Sequence, residues 1–373
     1  MRFRSQVFAV EDTCAQLTWR GAPAGPLAIT VSDGRTTRTL EAASESGPGS
    51  FVVDELDAAT SYTITAAPKG SEPERAHLIR TLARLSGPEL TRIATISDIH
   101  IGERWFGLLP RTFERPEPPV PHTLRCAAAA IDEWTRWGAR RALFKGDLVD
   151  HGSRPEWNTL ASLLTTVPQP WSVMLGNHET MNRHREDAGV MLRELGLPTA
   201  PVRIIDEPGL RIVLVETAID NRGYGRVRDT AAAVDAVGET TLPCLVVIHH
   251  HIQRLPVPTF WPAGISSITG NRFVGQLRRA NPAIVVTSGH SHRHHKRLIH
   301  GVPHIEVGSV KDYPGVWAGY AVHERGLRQL VRRVSPNDCL RWTDKTRHVM
   351  FGAWQAFAPG TLADRCFVHE WPR

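Results

Sequence analysis

The chain has 373 residues, more than one hydrophobic core usually supports, so its length predicts two domains. Its apolar fraction of 41% and charged fraction of 22% are those of a soluble globular protein, and no apolar run is long enough to span a membrane. The formal charge of +6 is spread along the chain without a long basic block, which argues against nucleic acid as a partner and weakly favours anionic substrates.

The N-terminus and the cysteines predict a cytoplasmic protein. The first residues lack the apolar segment of a signal peptide. The five cysteines are widely spaced and form no C-x-x-C pair, which favours reduced, mostly buried thiols over disulfides or a zinc knuckle. The sequence leaves the oligomeric state open.

Short alternating strands separated by Gly, Pro and Asp turns occupy about the first eighty residues and predict a small antiparallel β-sandwich. Residues 56–62 resemble the tyrosine corner of fibronectin type III domains, with Tyr62 as its tyrosine, and Trp19 is expected to be a buried anchor of an early strand. A core tyrosine in another kind of β-sandwich is the alternative. We place this domain at residues 1–86, ending before Gly87-Pro88.

Five apolar runs further along the chain predict buried strands, at residues 92–96, 141–144, 171–175, 245–248 and 283–287. Helical segments alternate with them, including one that begins with a capping box at Ser153 and Glu156, so the fold class is α/β. Each strand is followed by a segment rich in metal-ligand side chains: Asp98-Ile99-His100, Gly146-Asp147-Leu148-Val149-Asp150, Gly176-Asn177-His178-Glu179, His249-His250-His251 and Gly289-His290-Ser291-His292. Because ligands bind beyond the carboxyl ends of strands in such sheets, the five segments predict one shared site.

The spacing of the donors supports a common site. In Asp98-Ile99-His100 and in His290-Ser291-His292, one residue separates the two donors. On extended backbone, side chains at positions i and i+2 point to the same face, so each pair is expected to reach one metal cluster. Oxygen and imidazole donors without cysteine fit Mn, Fe, Zn or Co.

The ordered set resembles the motifs of the calcineurin-like metallophosphoesterase superfamily, D-x-H, G-D-x-x-D, G-N-H-[DE], a lone H and G-H-x-H, over roughly residues 91–310. The resemblance implies a metallophosphoesterase-type βαβ sandwich and two divalent or trivalent ions of Mn, Fe, Zn or Co. The implied ligands are Asp98, His100 and His292 for one metal, Asn177, His249 and His290 for the other, and Asp147 as the bridge. A shared carboxylate agrees with the need to offset the repulsion between two adjacent cations.

The resemblance also implies the reaction: a metal-bridging hydroxide attacks the phosphorus of a phosphate ester, and His178 assists the leaving group as general acid. Asp150 and Glu179 are both candidates for orienting His178. In the histidine triplet, His249 is placed ahead of His250 as the ligand because it comes first after the strand.

The proline-rich residues 103–121 directly follow the first donor pair and predict one wall of the substrate site. In this loop, Trp105 and Phe106 either stack on a ring of the substrate or anchor the loop on the domain surface. We assign residues 87–315 to the catalytic domain and residues 316–373 to an extension of unknown role, in which 319–323 and 328–334 predict a hairpin.

The motifs favour a phosphodiesterase. Purple acid phosphatases, which are monoesterases, have a tyrosine where this chain has Asp150 and D-x-G where it has Asp98-Ile99-His100. The class III cyclic-nucleotide and glycerophosphodiester enzymes are more similar, although His251 replaces their proline after the paired histidines. The alternatives are a phosphomonoesterase, a DNA nuclease, against which the absence of a basic stripe argues, and a non-catalytic scaffold, against which the complete ligand set argues.

Overall fold

A computed structural model describes residues 2–107, 111–182, 185–257 and 262–372. Residues 108–110 of the predicted wall loop therefore lie outside the described part of the chain. The strands of the N-terminal region are β1 (Arg4–Val10), β2 (Ala15–Ser32), β3 (Thr37–Val53), β4 (Ser61–Pro68) and β5 (Ala76–Arg80). The strands that follow are β6 (Glu89–Ile96), β7 (Trp105–Phe106), β8 (Thr112–Phe113), β9 (Arg141–Lys145), β10 (Trp171–Met174), β11 (Val202–Glu207), β12 (Leu210–Val215), β13 (Cys244–Val247), β14 (Ile284–Ser288), β15 (His295–Ile299), β16 (Val302–Glu306), β17 (Val316–His323), β18 (Gly326–Arg333) and β19 (Phe367–Glu370).

The helices cover the sheets or occupy the C-terminal region. They are α1 (His122–Trp137), α2 (Arg154–Leu164), α3 (His178–Met181), α4 (Ala188–Glu194), α5 (Thr230–Gly238), α6 (Ser267–Ala280), α7 (Asn337–Thr346), α8 (Trp354–Phe357) and α9 (Leu362–Arg365). The predicted capping box is present at the start of α2, where the Glu156 carboxylate accepts a hydrogen bond from the Ser153 backbone N–H. None of the described helices combines the length and apolarity that crossing a bilayer requires.

The N-terminal region is an antiparallel β-sandwich, as predicted. The first part of β2 pairs with β1 and its last part pairs with β4, while β3 follows β2 along both parts, so the sheet bends back on itself. The predicted anchor Trp19 lies in the core with 4% of its surface exposed. The hydroxyl of Tyr62 accepts a 2.9 Å hydrogen bond from the backbone N–H of Asp57, which ties the connection between β3 and β4 to the core.

Two six-stranded sheets form the rest of the fold, with strand orders β10-β9-β6-β17-β18-β19 and β11-β12-β13-β14-β16-β15. The five strands predicted ahead of the donor segments are β6, β9, β10, β13 and β14. In the first sheet β9 is parallel to both β6 and β10, and in the second sheet β13 is parallel to β14. Side chains from both sheets, such as Leu143 and Leu245, share one buried core. Helices α1 and α2 pack on the outer face of the first sheet and α5 and α6 on that of the second. The predicted α/β metallophosphoesterase-type sandwich, preceded by an all-β sandwich, is confirmed.

The last part of the chain completes the first sheet. The predicted hairpin is present as β17 and β18, and β17 pairs with β6 at the centre of the sheet. The domain limits at residues 86 and 315 stay predictions. The limit at residue 315 falls between β6, β9 and β10 on one side and β17, β18 and β19 on the other, although these strands form one sheet. The N-terminal sandwich docks on this end: the Gln16 side chain exchanges two hydrogen bonds with the Arg333 backbone, at 2.8 and 2.9 Å, and Glu11 accepts one from Arg332 Nε at 3.0 Å.

Candidate metal centre

The sheet order brings the predicted donors together. The segments that carry them leave the carboxyl ends of β6, β9, β10, β13 and β14, which lie side by side in the two facing sheets. Carboxylate and imidazole atoms from these segments form several groups whose candidate ligand atoms lie within 4.8 Å of one another. Six of the seven predicted ligands and His178 therefore meet at one edge of the fold, as the strand pattern suggested. The seventh, Asn177, directly precedes His178.

The first group consists of Asp98, His100 and His292. Asp98 is fully buried, and its Oδ1 lies 3.4 Å from Nε2 of His292. Both Asp98 carboxylate oxygens also accept the backbone N–H of His290, at 3.0 and 3.1 Å, which ties the first donor segment to the last. These contacts place one carboxylate and two imidazoles around a single point.

The second group consists of His249, His250 and His290, and Asp147 lies between the two groups. Oδ2 of Asp147 is 3.2 Å from Nε2 of His249 and 3.9 Å from Nε2 of His100. Asp147 also shares a group with Asp98 and His249. A carboxylate that faces donors of both groups has the position that a bridging ligand requires.

Two imidazoles of the histidine triplet at residues 249–251, those of His249 and His250, belong to the second group. Nε2 of His249 faces Asp147, whereas the ring of His250 lies 4.4 Å, between centroids, from that of His290. His250 Nδ1 is 2.9 Å from the hydroxyl of Thr217, so its Nε2 is the atom directed at the group. The assignment of His249 ahead of His250 stays a prediction.

The buried ring nitrogens fit metal ions. Nδ1 of His249 donates to the carbonyl of Lys145 at 2.7 Å, and Nε2 of His290 donates to the carbonyl of Ala263 at 3.1 Å, so in the neutral form of each ring the other nitrogen has a lone pair for a metal ion. Those other nitrogens, together with Nε2 of His100 and Oδ1 of Asn177, are buried without a hydrogen-bond partner in the described residues. Because an orphaned buried polar atom is costly, this set of donors is best explained by cation binding.

The backbone of the donor segments is not extended, contrary to the spacing argument. Asp98, His100, Asp147, His290 and His292 all have φ between +50° and +67°. The left-handed region is costly for side-chain-bearing residues, although Asp and His tolerate it better than β-branched residues. The i and i+2 donors therefore converge because each segment turns sharply after its strand, and local strain accompanies the ligand geometry.

Close backbone contacts explain two of the motif glycines. A Cβ on Gly176 would lie 2.2 Å from Oδ1 of Asp147, and a Cβ on Gly146, whose φ is +90°, would lie 2.6 Å from Nδ1 of His249. A side chain at either position would displace a predicted ligand. These glycines therefore permit the donor segments to approach each other.

Glu179 holds the Asp147 turn. Its carboxylate accepts hydrogen bonds from the backbone N–H groups of Asp147, Leu148, Val149 and Gly176, at 2.6 to 3.0 Å. Burial and the nearby Asp147 carboxylate raise the pKa of Glu179 to about 7. Of the two residues considered for orienting His178, Glu179 thus holds the turn that carries Asp147 instead.

Asp150 is the residue that contacts the His178 ring. Nδ1 of His178 is 2.9 Å from the Asp150 carbonyl and 3.2 Å from its Oδ1, and the same Oδ1 is 3.3 Å from Nδ1 of His100. Burial alone would lower the pKa of His178, but Asp147 and Asp150 raise it to about 9. The His178 side chain is 24% exposed, so the ring is partly open to solvent.

A buried charged chain behind the first group was not predicted. Asp312 Oδ2 accepts a 2.6 Å hydrogen bond from Nδ1 of His292, and the Lys311 ammonium lies 2.6 Å from Glu103 and 3.6 Å from Asp312. Asp312 and Lys311 are fully buried. The one sequence signal for them is a pair of adjacent charged residues inside the otherwise uncharged stretch 307–318.

Phe106 lies beside the site, whereas Trp105 packs against an arginine. The Phe106 ring stacks on His292 with centroids 6.0 Å apart and also contacts Trp354 at 5.8 Å. Trp105 lies under the guanidinium of Arg111, 4.2 Å away. Phe106 thus packs the loop onto the domain beside His292, a candidate metal ligand, whereas the Trp105 contact with Arg111 lies within the loop itself.

Comparison with known proteins supports a family assignment. A sequence model described as "Calcineurin-like phosphoesterase" matches residues 91–294, more than half of the chain. Among curated proteins there is no match.

Similar solved structures include a purple acid phosphatase, PPD1, from yellow lupin (Lupinus luteus) seeds, with 11% identity and a TM-score of 0.49 over 89% of this chain and 72% of that one. A dimetal phosphatase from Danio rerio has 14% identity and a TM-score of 0.48, covering 66% of this chain and 97% of that one. PhoD has 12% identity and a TM-score of 0.42, covering 87% and 85%.

Proposed function

The chain belongs to the calcineurin-like phosphoesterase family and is a metal-dependent phosphoric ester hydrolase, and we propose that it is a dinuclear phosphodiesterase. The observation that carries the proposal is the position of Asp147 between two groups of buried donors. In this proposal Asp98, His100 and His292 would hold one metal ion, Asn177, His249 and His290 would hold the other, and Asp147 would be shared between the two. Bound in this way, the ions would lower the pKa of a nucleophilic water and offset the charge of the phosphate.

His178 has the features of a general acid. Its Nδ1 is held by Asp150, so its Nε2 is the atom that can hold and deliver a proton. We infer that Nε2 gives the proton to the leaving oxygen of the ester, while Asp150 keeps the ring in orientation.

The local charge supports a diester over a monoester. A monoester carries up to two negative charges, whereas a diester carries one. Two cations close to the donors are already neutralised: Lys311 by Glu103 and Asp312, and Arg293 by Glu306 at 2.8 Å. These two side chains therefore contribute little net positive charge that could attract the second negative charge of a monoester. A phosphomonoesterase is the alternative.

The test is hydrolysis of bis(p-nitrophenyl) phosphate and of p-nitrophenyl phosphate by protein stripped of metal and reloaded with Mn, Zn, Fe or Co. We expect metal-dependent turnover with a higher kcat/KM for the diester, and loss of turnover in Asp147→Asn. The matched control is Asp235→Asn, an exposed carboxylate on α5, which should leave turnover unchanged. A higher kcat/KM for the monoester would assign the protein as a phosphatase, and unimpaired turnover by folded Asp147→Asn would refute the bridging role.

We also propose that the N-terminal sandwich is fibronectin type III-like, and that residues 1–86 form an accessory domain to a catalytic domain at residues 87–315. The hydrogen bond from the Asp57 N–H to the Tyr62 hydroxyl supports this, because it is the contact that defines a tyrosine corner. A cytoplasmic location is proposed from the five cysteines, which are free and buried. Cell fractionation of the expressed chain tests the location.

A further inference from the structure

A pocket of about 200 Å³ lies between the N-terminal sandwich and the C-terminal helical region. It is smaller than the clefts that hold drug-sized ligands, so it suits a small ion or a compact group. Its charged lining comes from three separate parts of the chain: Arg4, Arg20, Arg75, Arg333, Asp344 and Arg347. Five guanidinium groups thus face one carboxylate.

That carboxylate is already engaged. Arg333 donates to Asp344 Oδ1 at 3.0 Å, to the Thr343 hydroxyl at 3.0 Å and to the Pro314 carbonyl at 2.6 Å. Arg333 is 3% exposed, so this group of contacts is part of the core. Among the described residues that line the pocket, Asp344 is therefore the single counter-charge for the other four arginines as well. Outside the lining, Arg4 lies 3.7 Å from Glu74.

The remaining guanidinium groups are close enough to repel one another. Burial lowers the pKa of Arg20, and the charges of Arg347 and Arg4 lower it further, while the Asp344 carboxylate offsets only part of this effect. The guanidinium of Arg347 lies 5.0 Å over the Tyr313 ring, and its Nε is buried without a hydrogen-bond partner. Trp19, which also lines the pocket and is 4% exposed, likewise has an unpartnered indole N–H. Buried donors without acceptors, next to uncompensated positive charge, are the environment of an anion site.

We propose that this pocket binds a small, multiply charged oxyanion of the phosphate class. Arginine forks match the oxygen geometry of such an anion, and an anion would relieve the repulsion among Arg4, Arg20 and Arg347. The site is separate from the metal centre in composition, since it shares none of the proposed ligands. Free phosphate, pyrophosphate and a phosphorylated small molecule share this chemistry.

The test is titration calorimetry of inorganic phosphate and pyrophosphate into metal-loaded protein, with the change in Tm as a second readout. The variants are Arg20→Gln/Arg347→Gln, and as matched control Arg35→Gln/Arg140→Gln, which removes two charges from exposed sites outside the pocket. We expect the wild type and the control to bind one more molar equivalent of anion than the pocket variant. Any anion that binds at the metal centre should bind equally to all three proteins and so does not affect this difference. This readout does not require turnover, so it stands apart from the phosphodiesterase proposal.

The same anions should raise the Tm of the wild type by more than sodium chloride does at equal ionic strength, and the pocket variant should lose this difference. If Arg20→Gln/Arg347→Gln does not fold, the exposed pair Arg4→Gln/Arg75→Gln should weaken binding at that site by about tenfold. Equal stoichiometry and affinity in the pocket variant and the control, or an equal Tm rise with chloride, would overturn the proposal. Preference between phosphate and pyrophosphate identifies the size of anion that the site takes.

Discussion

The Asp312 carboxylate accepts a 2.6 Å hydrogen bond from Nδ1 of His292, which leaves Nε2 of that ring for the donor group around Asp98. The pair joins a loop that follows β16 to the segment that follows β14, and Asp312 is fully buried. A carboxylate behind a metal-binding histidine fixes the ring orientation and raises its basicity as a ligand.

Asp312→Asn keeps the shape and an acceptor oxygen but removes the charge. We expect metal affinity to fall by about 10- to 100-fold, because a neutral amide stabilises the ligating ring less. Competition with a chromophoric chelator measures this directly. Asp235→Asn serves as the control, and unchanged affinity in folded Asp312→Asn would show that the contact does not tune the site.

Gly176→Ala should displace the proposed bridging ligand. The new methyl group would lie 2.2 Å from Oδ1 of Asp147, so either the carboxylate or the turn must move. A shift of about 1 Å at a reacting site costs about 100-fold in kcat/KM, which steady-state kinetics on bis(p-nitrophenyl) phosphate would detect. Gly223→Ala is the control, since its methyl group would meet nothing nearer than 3.9 Å. Equal activity of the two variants would contradict the close-contact argument.

His178→Asn should affect substrates according to their leaving group. For a diester with an alkyl leaving group, which needs a proton to depart, we expect kcat to fall by about 100- to 1,000-fold. For a p-nitrophenyl diester, whose leaving group is stable as an anion, the expected loss is about tenfold or less. His348→Asn, at an exposed histidine outside the site, should change neither rate. Equal losses for both substrates would mean that His178 does not act as the general acid.

Acid should weaken the docking of the N-terminal sandwich through Glu11. Burial alone would raise the pKa of Glu11, but Arg332 and Arg328 hold it below its ordinary value of 4.5. A carboxylate whose pKa is lowered in the folded state stabilises the fold at every pH above its ordinary pKa. This contribution is lost as the pH falls through the folded-state pKa. The free energy of unfolding of the wild type should therefore drop on acidification below pH 4.5.

Glu11→Gln should remove that part of the pH dependence and should cost roughly 3 kcal/mol at neutral pH, because it leaves a buried arginine without its counter-charge. Denaturant unfolding at several pH values measures both effects. Glu41→Gln is the control: Glu41 forms an exposed pair with Lys69 at 3.3 Å, and its loss should change stability by about 0.5 kcal/mol or less. Parallel pH profiles for the wild type and Glu11→Gln would contradict the assignment.

Much of the metal centre could be predicted from the sequence because its signals are local. An apolar run followed at once by Asp98 and His100, or by Asp147, identifies a strand and a donor at its carboxyl end without knowledge of any other segment. The order of the five segments then supplied the resemblance to one family. The capping box at Ser153 and the anchor Trp19 are of the same kind, since each depends on neighbours within a few residues.

The tertiary structure alone decided the contacts between segments that are far apart in the chain. Asp312 meets His292, Glu179 holds the turn at Asp147, and β17 enters the sheet beside β6, and none of these follows from periodicity. Arg20 and Arg347 face one pocket although they lie at opposite ends of the sequence. The physical reason is that local patterns encode which face of an element is buried, whereas the order of strands in the sheets determines which buried faces and loop ends meet.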